Sequence, residues 1–176
     1  ECVGQNRPIT GKHPRLVYTF KYTISPFFKR GLRASHRLTM KKVLIIDDDK
    51  ISRKFLSKAL IDLYSVEVAC DGEEGLQKVA EAQPDIILLD VEMPGMNGYE
   101  VCDKFRQQDA TRLIPVIFLS GRSSVRERML GYESGGDDYL VKPCETEELR
   151  AKINVLLEHR KIKIELQSQA CDAQKT

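Results

Sequence analysis

The chain has 176 residues, a length for one domain with tails. Its 41% apolar share is ordinary for a soluble globular protein and enough to build a core. The net charge of +2 hides an asymmetry: residues 1–39 hold eight of the 28 basic residues and, in Glu1, one of the 26 acidic ones, which leaves 20 basic against 25 acidic in the rest. No stretch approaches the roughly 20 apolar residues of a membrane helix. The run Leu16–Phe20 is broken by Lys21 and followed by Pro26, which argues against a secretory leader. Five cysteines (Cys2, Cys70, Cys102, Cys144, Cys171) are odd in number and lack Cys-x-x-Cys spacing, so neither a disulfide framework nor a zinc site is indicated. Cys70 and Cys102 fall in apolar-patterned segments and read as small core residues. A reducing cytoplasm is the expected setting.

Residues 1–39 are basic and without clear periodicity. They read as a leader foreign to the domain, with a basic arm for an acidic partner as the alternative. Met40 is the first methionine and stands directly before the first convincing strand. Lys42–Asp47 predicts a short apolar strand of the kind buried on both faces of a parallel sheet. Ile51, Phe55, Ala59, Leu60 and Leu63 then recur at helical spacing. Val66–Cys70 predicts a second strand. Glu73–Ala82 predicts a helix with Leu76, Val79 and Ala80 inward, ended near Pro84.

Asp85–Asp90 predicts a third strand, again finishing on a carboxylate. After the Pro94–Gly98 loop, Tyr99–Gln107 suits a helix. Ile114–Leu119 predicts a fourth strand, Ser123–Ser134 a helix, Tyr139–Val141 a short fifth strand and Thr146–His159 a last helix. Strands alternating with single helices imply βαβ crossovers, hence an α/β doubly wound domain with a parallel five-stranded sheet and helices on both faces. It is expected over residues 40–160. Residues 161–176 are a tail or an extension of the last helix toward an output domain that this chain does not carry.

Ligands of open α/β sheets bind beyond the carboxyl ends of the strands. Here strand one ends on Asp47 and Asp48, strand three on Asp90, strand four on Ser120 and strand five on Lys142. Adjacent like charges at one edge are unfavourable unless a cation sits there, and carboxylates with a carbonyl are ligands that a hard ion such as Mg2+ prefers. A carboxylate can also be a nucleophile, and Ser and Lys bind phosphoryl oxygens. Asp49 reads as a helix-capping bystander. Glu92 and Arg122 stand two residues after Asp90 and Ser120, and are expected to attract one another across the edge and slow water's approach.

Asp47-Asp48, Asp90 within Leu-Leu-Asp-Val-Glu-Met-Pro-Gly-Met-Asn-Gly, Ser120 within Phe-Leu-Ser-Gly and Lys142 within Val-Lys-Pro, in that order over roughly residues 41–160, resemble the response-regulator receiver domain of two-component signalling. The resemblance implies a flavodoxin-like three-layer sandwich with strand order 2-1-3-4-5. It implies phosphorelay signal transduction, with Asp90 the phosphoacceptor that takes a phosphoryl group from a sensor histidine kinase or phosphotransfer protein. It implies Mg2+ on Asp47, Asp48, Asp90 and the Glu92 backbone carbonyl, with Asp47 acting mainly through a bound water. Lys142 would pair with Asp90 at rest and with phosphate afterwards. Ser120 and Tyr139 would form a switch in which Tyr139 moves from exposed to buried, altering a face of helix 4, strand 5 and helix 5 that serves a homodimer or an output protein. The Lys142-Pro143 bond is expected to be cis. Ser120 replaces the family's commoner threonine with the hydroxyl kept, and Cys144 stands where many members carry Phe.

Such a module turns over no external metabolite and is not an enzyme in that sense. A Mg2+-dependent phosphatase of the haloacid dehalogenase type is the enzymatic alternative, but it requires Asp-x-Asp on the first strand, where this chain has Asp-Asp-Asp-Lys. A scaffold that binds without phosphorylation is the other. No basic recognition helix is present, so nucleic-acid binding by this chain alone is not expected, nor is a membrane partner.

Overall fold

The computed structural model describes residues 40–122 and 124–173, with side chains through Ala170. The basic leader with Cys2, and Ser123 as a helix start, lie outside the described residues. Ten elements alternate: β1 (Lys42–Ile46), α1 (Lys50–Leu60), β2 (Ser65–Ala69), α2 (Gly72–Ala82), β3 (Ile86–Asp90), α3 (Gly98–Arg106), β4 (Val116–Ser120), α4 (Val125–Glu133), β5 (Asp138–Val141) and α5 (Thr146–Ala173). The strands form one parallel sheet in the order β2-β1-β3-β4-β5. This is the doubly wound, flavodoxin-like order that the sequence resemblance implied.

The alternation of side chains along a strand splits the apolar runs between two cores. Leu44, Ile46, Ile87, Leu89, Val116 and Phe118 face α2 and α3 through Val79, Val101, Cys102 and Phe105. Val43, Ile45, Ile86, Leu88, Ile117 and Leu119 face α1 and α5 through Leu56, Leu60, Leu149 and Ile153. Both faces of β1, β3 and β4 are therefore covered, which is why those segments read as continuous apolar runs. All strands lie within two residues of their expected positions.

Three expectations need correction. In α1 the buried pair is Leu56 and Leu60, whereas Ile51 and Phe55, and Leu63 beyond its end, are largely exposed. Of the expected residues Leu60 is buried and Ala59 packs against the core, while Ile51, Phe55 and Leu63 fall one position off the face that meets the sheet. In α2, Ala80 is exposed, and Gly72 and Gly75 with Val79 make the inward face. A Cβ on Gly75 would stand 2.6 Å from Ile46 Cδ1, so the missing side chain is what lets the helix sit against the central strand. Cys70 is exposed because it follows β2, the outer strand of the sheet, beyond its last paired residue. The last helix runs past His159 to Ala173, which is the helix extension, one of the two readings of residues 161–176.

Capping fixes where the helices begin. Asp49 accepts hydrogen bonds from Ile51 N and Ser52 N and so opens α1, the role expected for it. Asn97 and Glu100 form a reciprocal capping box at the start of α3. Among the described residues no helix is long and apolar enough to cross a membrane.

Candidate functional site

At the carboxyl edge of the sheet, the ends of β1, β3, β4 and β5 bring their polar residues together. Asp47 is fully buried. Its Oδ1 accepts from Asp49 N at 2.9 Å, and its Oδ2 accepts from Ser52 Oγ at 2.6 Å and from Lys142 Nζ at 2.7 Å. Asp90 is 5% exposed, with Oδ2 3.0 Å from the same ammonium and Oδ1 accepting from Glu92 N at 3.3 Å. Lys142 thus bridges two carboxylates from strands that are adjacent in the sheet. Asp48 is exposed at the rim, and oxygens of Asp47, Asp48 and Asp90 all lie within 4.8 Å of one another.

Buried charge has to be compensated. Burial raises the pKa of the Asp90 carboxyl, more than the pull of Lys142 lowers it. Burial also disfavours the charged form of Lys142, but hydrogen bonds to Asp47 and Asp90 outweigh it and hold the ammonium above its usual range. Three carboxylates against one ammonium leave an excess of negative charge in a cluster made only of hard oxygen donors. That donor set fits Mg2+.

Ser120 is 1% exposed at the end of β4, and its Oγ accepts from Arg122 N at 3.0 Å. Tyr139 is buried, and its hydroxyl donates to the Arg122 carbonyl at 3.0 Å. The aromatic therefore already occupies the inward position, where the resemblance implied exposure before phosphorylation. One backbone residue, Arg122, touches both hydroxyls. Beside them Tyr99 donates to the Glu127 carbonyl at 3.1 Å and stacks edge-on with Phe118, and burial pushes its hydroxyl up to about 12.

Above the cluster, Arg122 Nε lies 2.7 Å from Glu92 Oε1, and its NH1 lies 3.1 Å from Glu127 Oε1. The expected attraction across the site is present, with Glu127 as an additional partner. The Lys142-Pro143 bond is cis.

Three contributors went unread in the sequence. Ser52 holds Asp47 from the first turn of α1, and Arg53 NH1 donates to the Asp47 carbonyl at 2.5 Å. Their place one helical turn after the capping Asp49 was the available signal. Gly98 lets α3 begin against the backbone behind the acceptor strand, since a Cβ there would overlap the Asp90 carbonyl oxygen.

Fold and edge together define a doubly wound domain with a carboxylate cluster and a bridging lysine at the ends of its strands. Residues 43–154 match the family model of the response regulator receiver domain. The response regulator MprA of Mycobacterium leprae is 44% identical over 121 residues, covering 68% of this chain and 52% of that protein. Chemotaxis protein CheY4 of Vibrio cholerae superposes with a TM-score of 0.64 at 36% identity, covering 66% of this chain and 98% of that one. The receiver domain of Francisella response regulator 1452 superposes at 0.63 and 34% identity, covering 68% and 98%.

This chain belongs to the response regulator receiver domain family of two-component signalling, whose general function is phosphorelay. It spans about half the length of the curated relatives it matches.

Proposed function

We propose that Asp90 is the phosphoacceptor of a Mg2+-dependent phosphorelay step. An Asp90 carboxylate oxygen attacks phosphorus of a kinase phosphohistidine. The P–N bond breaks, the imidazole leaves with the electron pair, and an acyl phosphate remains on Asp90. The observation that carries this reading is the Lys142 ammonium, 2.7 Å from Asp47 and 3.0 Å from Asp90. It fixes the acceptor carboxylate and stands ready for the charge that the phosphoryl group brings.

Asp47, Asp48 and Asp90, with the Glu92 backbone carbonyl, would hold Mg2+, which when bound neutralises charge on the transferring phosphoryl oxygens. Ser120 Oγ, released from Arg122 N, would donate to a phosphoryl oxygen. Because Tyr139 is bonded to the same Arg122, that turn reaches the face formed by α4, β5 and α5, where a downstream partner or a second copy would respond. Kinase, output and cytoplasmic location are inferred from the family. No external metabolite is turned over.

Incubation with Mg2+ and acetyl phosphate, or with beryllofluoride, tests the reading. Intact-mass analysis should find one added phosphoryl group, lost on chelation and in Asp90→Asn. Steady release of phosphate from many substrates would instead identify a phosphatase. The Arg122–Glu92 contact screens the acyl phosphate from water. Arg122→Ala should shorten the phosphorylated half-life roughly two- to fivefold, the modest range of an exposed pair. An unchanged half-life removes the screening role.

A further inference from the structure

At the amino edge of the sheet, opposite Asp90, the loop between α3 and β4 meets α5 around a hollow of about 230 Å3. Arg112 lines it from the loop, and His159, Arg160 and Lys163 line it from one side of the helix. Pro115 and Leu156, both buried, contribute apolar wall.

The one carboxylate in the lining is already committed. Asp137 Oδ2 accepts from Arg106 NH2 at 2.8 Å and from Val116 N at 2.9 Å. Arg112 meets Asp109 at 3.3 Å, but that carboxylate is 94% exposed, and a pair in water holds little. Neither His159 nor Lys163 makes an ion pair among the described residues. Arg160 spends NH1 on the Pro84 and Asp85 carbonyls. Its Nε is the one buried side-chain nitrogen or oxygen among the described residues without a hydrogen-bond partner. Such atoms are uncommon in folded proteins and point to a missing partner. Burial also lowers the pKa of this guanidinium, which Asp85 only partly offsets. The hollow thus carries three fixed positive charges and an imidazole against a single carboxylate that Arg106 neutralises.

A concave wall of one sign focuses its field inward. Guanidinium forks and an ammonium together suit phosphate, the first as planar donors and the second as a point charge. The volume lies below the roughly 300–1,000 Å3 of a drug-sized ligand's pocket, which limits the occupant to a phosphoryl group with few further atoms.

We propose that the hollow between the α3–β4 loop and α5 binds a phosphate dianion, free or as a small ester, held by Arg112, Arg160 and Lys163. The loop is prepared for it. Arg106 NH1 donates to the Arg112 and Ile114 carbonyls at 3.1 and 2.8 Å, and Thr111 Oγ1 donates to the Phe105 carbonyl at 2.7 Å. Arg112 is therefore offered from backbone that need not be ordered on binding. Lys163, by contrast, belongs to the exposed extension of α5. A dianion shared by the two ties the first turn of that extension to the domain. The site is independent of Asp90 and Lys142, which stand at the other end of the strands.

Amide NMR of the full chain, titrated with sodium phosphate and separately with glycerol phosphate at constant ionic strength, tests this. A chelator keeps Mg2+ from drawing phosphate to Asp90. Signals of Leu113, Asp137 and Lys163 should shift saturably, with a dissociation constant of about 1 mM. Arg112→Ala should weaken binding roughly threefold, the scale of one partly exposed charge pair, and Arg112→Glu with Lys163→Glu should abolish it. Both side chains are exposed, so the thermal midpoint in chloride should stay in place. Lys104→Glu, on the exposed side of α3, should leave binding unchanged. Bound phosphate should slow hydrogen exchange over residues 161–166 in wild type and not in the double variant.

The tighter of the two ligands identifies the source, free phosphate or an ester. Shifts confined to Ser120 and Lys142 overturn the proposal, because phosphate then occupies the acceptor site. So does a titration that never saturates, or one that Lys104→Glu weakens as much as the double variant does, since either reduces the effect to net charge. Unchanged exchange in the extension removes Lys163 from the site and the proposal with it.

Discussion

The site rests on a conflict that single residues expose. Asp90 must be buried to be held in place, and burial raises its pKa above the ordinary 3.8 despite Lys142. A carboxyl whose folded pKa is raised stabilises the fold most below its unfolded value, and that contribution is lost as pH rises through the folded value. At neutral pH, therefore, ionised Asp90 is a burden to the metal-free protein. Asp90→Asn in the presence of a chelator should raise the thermal midpoint at pH 7, and the difference should close as the pH falls below 3.8. A midpoint lower than wild type at pH 7 would mean that the pairing with Lys142 outweighs burial. Saturating Mg2+ should favour wild type instead. An ion that binds the folded state alone, present at ten times its Kd, stabilises by about 1.4 kcal/mol. Asp48→Asn, which removes the exposed member of the cluster, should lose most of that gain in the same melting experiment.

At the level of elements, the fit of α2 to β1 shows how closely helix and sheet approach. Gly75 costs α2 roughly 1 kcal/mol of helix propensity against alanine. Yet its Cβ position lies 2.6 Å from Ile46 Cδ1 and 3.1 Å from both Ile46 γ carbons. Ile46 is fully buried in a strand paired on both sides, so it has no room to give. Overpacking costs typically 1–3 kcal/mol, and should win over the gain in propensity. Urea unfolding of Gly75→Ala is expected to show a net loss of about 1 kcal/mol, of which Ile46→Val, by removing Cδ1, should return a measurable part. Additive effects of the two substitutions would place the strain elsewhere.

Such close approaches explain what could be read from the chain and what could not. Continuous apolar runs such as Ile86–Leu89 announced strands buried on both faces, and the carboxylates at their ends announced the site. The order of the strands came from resemblance, because local periodicity carries no record of which strand neighbours which. Helix faces were misread where two neighbouring positions were both apolar. Phe55 and Leu56 differ in burial only because the sheet edge selects one of them. Ser52 and Arg53 escaped notice because their partner, Asp47, is met through the first turn of α1, a contact with no pattern of its own.

The molecule as a whole divides at Arg160. Up to that residue α5 belongs to the domain: Leu149, Ile153 and Leu156 complete the core shared with α1. Arg160 NH1 then ties the helix to the Pro84 and Asp85 carbonyls at 3.0 and 2.7 Å, at the amino end of β3. Beyond it, residues 161–170 are exposed, and the one apolar side chain turned toward the domain is Ile164, 46% exposed, which with Leu157 lines a hollow beside Lys41 and Asp85. Removal of residues 161–176 should therefore cost no more than about 1 kcal/mol of unfolding free energy, the scale of one half-buried apolar side chain. It should leave the Mg2+-dependent phosphorylation of Asp90 intact. Denaturant unfolding and intact-mass analysis after acetyl phosphate of the same truncated protein check the two outcomes. A large loss of stability would mean that the extension folds back on the domain. The expected result confines the structural role of α5 in the receiver core to the part that ends near Arg160.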